Sequence, residues 1–123
     1  MREHLTASLE RLKTDYADIY YLHRINPDIP VEDVAEVMGK LICEGLIRGW
    51  GLSQVDVDVI NRAHKVTPLS AVQNIYSMLE RGVEEVIPYC IEHNIGVVPF
   101  SPIASGFLSG KVTVNSDFPT VMM

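Results

Sequence analysis

Residues 16–27 read YADIYYLHRINP, and how this stretch is read decides the fold. Tyr16–Leu22 is a compact apolar and aromatic run whose length suits a strand covered on both faces, the kind found in parallel sheets. It stops abruptly at His23 and Arg24, and INPDIP (25–30) follows as a loop. Each proline there lacks a backbone donor and disfavours helix in the residue before it. On the residues alone, His23 has two open readings: an active-site group, or a buried strand-end histidine bonded to a backbone carbonyl.

Working outward, Leu5, Leu9 and Leu12 fall at helical spacing within residues 2–12, so a helix precedes the run. After the loop, residues 31–45 form an amphipathic helix with acids in its first turn and Gly45 as its C-terminal cap. IRGWGLS (47–53) is the second strand. A helix is expected from about Val55, with Asp56 in its first turn and Val59, Ile60, Ala63 and His64 sharing a face. LSAVQNIYS (69–77) contains the third strand, residues 83–94 a helix carrying Pro88, and IGVVPFSP (95–102) the fourth strand. The tail from Gly106 is less regular. Helices alternating with short buried strands imply crossover connections and a parallel sheet. No strict repeat, low-complexity segment or internal linker divides the chain, so one domain over 1–123 is expected.

Composition narrows the function classes. The chain has 123 residues, of which 47% are hydrophobic, enough to build a core. Sixteen acids against ten Lys and Arg give a net charge of −6. The basic residues are scattered among acids, which argues against a nucleic-acid partner. No apolar run approaches a membrane span and no apolar leader opens the sequence, so a cytoplasmic protein without membrane contact is expected. Cys43 and Cys90 lack metal-type spacing and are read as buried free thiols. Cys90 and His93 lie three apart without a second ligand pair, so no metal site is expected. His4, His64 and His93 are read as surface residues on helices, and Gly51 and Gly106 as places where the backbone turns closely.

Each strand run ends in small polar residues: His23 and Arg24, Ser53 and Gln54, Gln73 and Asn74, and Ser101. In parallel α/β folds ligands sit beyond the carboxyl ends of strands, where those ends and the following loops converge. Four such ends on one rim make a candidate site. Arg24 is expected either to pair with an acid across the rim or to contact substrate.

These segments resemble the aldo-keto reductase family. SLERLKTDYADIYYLHRINPDIPVEDV (8–34) is similar to that family's third helix, fourth strand and following loop. GLIRGWGLS, AVQNIYSMLER and GVVPFSPIASGFLSGK are similar to its segments at strands five, six and seven, in order and at matching spacings, so the likeness spans about residues 3–111. It implies a partial (β/α)8 barrel of about four parallel strands alternating with helices. It implies NADP(H) as cofactor and reduction of small aldehydes or ketones. His23 would be the active-site histidine that helps orient the substrate carbonyl. Ser53, with Gln54 beside it, and Gln73 would hold the nicotinamide carboxamide. Phe100 would stack on the ring, and Ser101, Ile103 and Ser105 would lie near the ribose and pyrophosphate.

The same resemblance places the family's proton-donating tyrosine, with the lysine and aspartate that tune it, ahead of the third helix. The basic residues for the adenosine phosphate come after strand seven. None of Tyr16, Tyr20, Tyr21, Tyr76 or Tyr89 stands in the proton donor's context. The expectation is therefore an incomplete reductase barrel, inactive alone and binding cofactor poorly. Its open edges would make it marginally stable or self-associating. A non-catalytic nicotinamide-binding homologue, in the manner of channel β subunits, is the alternative reading. Met1, falling within what should be a helix, also admits a fragment without independent function.

Overall fold

A computed structural model describes residues 1–117. Four helices alternate with four strands: α1 (Arg2–Leu12), β1 (Ala17–Leu22), α2 (Val31–Cys43), β2 (Ile47–Ser53), α3 (Val57–Val66), β3 (Ala71–Ile75), α4 (Val86–Glu92) and β4 (Gly96–Phe100). The strands form one parallel sheet in the order β1-β2-β3-β4. The expected alternation and parallel pairing are therefore present. Of the sequence tail, residues 118–123 lie outside the described residues.

The helices form where the apolar stripe demands burial. Val31, Val34, Ala35, Met38 and Leu41 recur at helical spacing along α2, and all five are buried. Cys43 falls off that stripe and is exposed, which corrects its reading as a buried thiol, whereas Cys90 is buried. Gly45, at φ +75°, takes the left-handed position that ends α2 at little steric cost. Asp56 sits one residue before α3, and its side chain accepts from the Val59 N–H at 3.0 Å. It is a cap rather than a first-turn residue, which moves the helix start from about 55 to 57. The helix expected over 83–94 opens instead as a 3₁₀ turn (Gly82–Glu85), followed by α4. Pro88 then occupies the first turn of α4, where a missing N–H breaks no helical bond.

Register fixes which side chains share a face. Leu22, Leu52, Val72 and Val97 align across the sheet and pack into the core with residues from all four helices. Trp50, fully buried, donates its indole N–H to the Thr67 carbonyl at 3.1 Å. Because strand side chains alternate, Tyr21, Gly51, Ala71 and Gly96 form the neighbouring row on the opposite face. Gly51 lies within β2, not at a turn. A Cβ there would come within 2.5 Å of the Tyr21 ring and 2.7 Å of the Ala71 carbonyl oxygen. A Cβ on Gly49 would likewise meet the Ser70 hydroxyl at 2.1 Å. Gly106, at φ +93°, does serve a turn.

Candidate active site at the carboxyl ends of the strands

The alternation that buries Leu52 and Val72 carries Ser53 and Gln73 to the other face, and the two are register partners. His23 follows Leu22, the partner of Leu52, and so continues the same row at the end of β1. One step further along β3 and β4, Ile75 pairs with Phe100 on that face again. The structure thus brings His23, Ser53, Gln73 and Phe100 onto the face of the sheet turned away from the helices, at one end.

Their surroundings differ. His23 is exposed, so the buried strand-end reading does not hold. Ser53 is only 3% exposed. Arg24 Nη1 donates to the Ser53 hydroxyl at 2.9 Å and to the His23 carbonyl at 2.7 Å. Of the two partners expected for Arg24, an acid across the rim is replaced by a serine hydroxyl. Gln73 and Phe100 are half-buried. The Gln73 backbone carbonyl accepts from the Gln54 N–H at 3.0 Å, and its side-chain amide bonds to nothing among the described residues.

Gln54 and Asn74 take the other side of the rim. Gln54 stands at φ +56°, and its amide oxygen accepts from the Ile75 N–H at 3.0 Å, holding the end of β3. Asn74 is buried, donating to the Val55 carbonyl at 2.8 Å and accepting from the Val55 N–H at 3.1 Å. This two-point clasp fixes the turn from β2 into α3, a role not assigned from sequence. A buried asparagine at a strand end was the available signal, since its amide must find backbone partners.

After β4, Ser101, Ala104 and Ser105 all have positive φ, at 53°, 49° and 55°, although none is glycine. Such backbone is sterically costly for L-residues and persists where the surroundings impose it. Ser101, Ile103 and Ser105 are exposed on this turn. The Ile103 and Ser105 amides donate to no acceptor among the described residues, while Ala104, Gly106, Phe107 and Leu108 close the turn through theirs. Free, exposed amides on a tight turn suit an anionic group.

Two clefts open at this end. One of about 350 Å³ beside β1 includes His23, with His4, Tyr20, Tyr21 and Met38. The other, about 390 Å³, lies between Gln54, Asp56, Asn74 and Glu85 and contains none of His23, Ser53, Gln73 or Phe100. The smaller cleft holds only His23 of these four and is walled by His4 and Met38 from the helix layer, so the four gather on the open sheet face and not in either cleft. Burial pushes the Tyr20 and Tyr21 phenols above their ordinary value, and the Glu84 carboxylate bonded to its hydroxyl does the same to Tyr76. Burial also raises Tyr89. These four are poorer acids at neutral pH than a free tyrosine. The remaining histidines lie away from the strand ends' candidate row or make structural bonds. His4 is exposed on α1, His93 is exposed just beyond α4, and His64 is half-buried with Nδ1 accepting from the Leu69 N–H at 3.0 Å.

Residues 1–122 match the model of the aldo/keto reductase family. This chain belongs to that family. A probable aldo-keto reductase from Glycine max is 41% identical over 109 residues, which is 88% of this chain and 32% of that protein. A glycerol dehydrogenase from Gluconobacter oxydans superposes with a TM-score of 0.93 at 28% identity, covering 97% of this chain and 37% of its own. An aldo-keto reductase from Klebsiella pneumoniae, solved in complex with NADPH, is 37% identical with a TM-score of 0.75, covering 85% and 38%. The chain thus spans about a third of the length of the curated relative it matches, and the four parallel strands with their helices correspond to part of a (β/α)8 barrel. Among the described residues no helix is long and apolar enough to cross a membrane.

Proposed function

We propose that these residues form the nicotinamide-facing part of an NADP(H)-dependent reductase that converts aldehydes or ketones to alcohols. The observation that carries this reading is the gathering of His23, Ser53, Gln73 and Phe100 on one sheet face at the strands' carboxyl ends. The donor set suits a nicotinamide: a serine hydroxyl and an unengaged glutamine amide complement a carboxamide, and a phenyl ring offers it an apolar face. The exposed Ile103 and Ser105 amides, with the Ser101 and Ser105 hydroxyls, suit the ribose and pyrophosphate. Gln54 supports that site by holding the Ile75 amide with its side-chain oxygen, and its NH2 group, without an acceptor among the described residues, is left to serve the carboxamide beside Ser53.

The reduced nicotinamide, when bound, would supply a hydride to the substrate carbonyl carbon. His23 orients the carbonyl oxygen, Ser53 and Gln73 fix the rotation of the ring, and Phe100 sets its plane. The oxygen must also gain a proton. Tyr20 and Tyr21, whose phenols burial raises, are poorly suited to give it, and we place the proton donor of the complete reaction outside these 123 residues. Taken alone, the 123 residues expose Ile19, Val98 and other side chains of the barrel-facing side. We therefore read them as part of a larger barrel domain, and as prone to self-association in isolation.

Fluorescence titration of the 123-residue chain with NADPH tests this reading. Weak binding, with a Kd of roughly 100 μM or higher for half a cofactor site, and no turnover of simple aldehydes are expected. Micromolar binding without turnover would instead support the non-catalytic, regulatory reading. Turnover by the chain alone would overturn the external proton donor.

A further inference from the structure

Of the six arginines among the described residues, Arg2, Arg48, Arg62 and Arg81 each pair with a carboxylate, and Arg11 reaches only the exposed Ser8 hydroxyl of its own helix at 3.4 Å. Arg24 has no acidic partner among the described residues, and its guanidinium is spent on a side chain that is almost fully buried. It also grips the carbonyl of His23, so one Nη1 joins the end of β1 to the end of β2.

The chemistry of the two partners gives this contact a direction. A guanidinium only donates, whereas a hydroxyl has one proton to give and lone pairs to accept with. With Arg24 donating to it, the Ser53 oxygen is engaged as an acceptor, and its own proton has no acceptor among the described residues. A buried hydroxyl proton left over in this way points to a ligand atom that accepts. Building on the cofactor reading above, we propose that Arg24 is a positioning residue that commits the Ser53 hydroxyl to donating. This position would then read the carbonyl oxygen of the nicotinamide carboxamide and not its amide nitrogen. The unengaged Gln73 amide, which both donates and accepts, remains to serve the NH2 side.

The division of labour can be tested by binding alone. The 123-residue chain, Arg24→Met and Arg24→Lys are titrated by NMR, up to millimolar ligand, with NADP+ and with its thionicotinamide analogue, whose sulfur accepts hydrogen bonds weakly. The unsubstituted chain should prefer NADP+ by about five- to tenfold, the worth of one hydrogen bond. Arg24→Met should weaken NADP+ by a similar factor and the analogue hardly at all, so the preference collapses. Arg24→Lys, still a donor, should restore most of it. Ser53→Ala should lose the same preference, and adding Arg24→Met to it should change nothing more. That second pair of variants keeps the test readable should Arg24→Met alone disturb the fold. Equal weakening of both ligands, tighter binding by Arg24→Met, or additive effects of the two substitutions would overturn the proposal. If the unsubstituted chain binds neither ligand, the cofactor reading itself fails, and the proposal with it.

Discussion

The two faces of one sheet are built on different terms. On the helix side, Trp50, Leu52 and Val72 are fully buried and belong to one core cluster with residues from every helix. On the other side, the same strands carry glycine, alanine, serine and glutamine, with Val98 39% exposed and Phe100 half-buried. Neighbouring positions along β2 and β3 thus alternate between holding the fold and facing a site. The difference teaches that stability and recognition here are separable by a single step along the chain. Substitutions on each face should therefore move different measurements.

The largest effect belongs to the helix side. Trp50→Ala removes the fully buried ring and its bond to the Thr67 carbonyl. Large-to-small core changes of this kind cost about 3–5 kcal/mol, so urea unfolding should show a large loss of stability. A loss under about 1 kcal/mol would mean that the two faces are not energetically distinct. Gln73→Ala probes the opposite face. It removes an amide with no bonding partner among the described residues, so stability should change by less than about 0.5 kcal/mol. NADPH affinity should fall by roughly five- to tenfold. A Gln73→Ala variant that unfolds more readily but binds as before would reverse the assignment of its face.

The smallest effect is a pH response away from the site. Burial, and secondarily His93 nearby, holds His64 below the usual histidine value. The rings of His64 and His93 lie 5.8 Å apart, edge to face. A depressed histidine takes up its proton less readily folded than unfolded, so the unfolded chain binds more protons and stability rises with pH. The contribution is complete above the unfolded value of about 6.5 and is lost progressively as pH falls below it. Protonation also costs the Leu69 N–H its acceptor. A melting midpoint that drops modestly from pH 7.5 to 5.5, with a smaller drop in His64→Gln, would support this account. Identical profiles for the two would sink it.

Much of this division was legible in the sequence, because periodicity reports burial. IRGWGLS coincides with β2, since an apolar run bounded by the Gly45 cap and by polar residues leaves little latitude. Polar strand ends likewise marked the rim. Contacts between residues distant in the chain were not legible. Arg24 reaches Ser53 across 29 positions, and nothing local distinguishes a serine partner from an acid. The Asn74 clasp on Val55, across 19 positions, was hidden for the same reason. The turn after β4 carries left-handed conformations on serine and alanine, residue types that give no such warning. Apolar neighbours alone do not place Cys43, because its angular position on α2 lies off the buried stripe.

Gly49 and Gly51 have a consequence for anyone redesigning this strand. Propensity tables would recommend valine or isoleucine at both positions of a central parallel strand. The Ser70 hydroxyl and the Tyr21 ring already fill the volume those side chains would need. A library that diversifies β2 for strand-forming tendency would lose members at these two positions through collision, however well they score on propensity. Productive variation at Gly49 has to begin by shortening Ser70, whereas Gly51 also faces the Ala71 backbone carbonyl, an obstacle that no change of a neighbouring side chain removes.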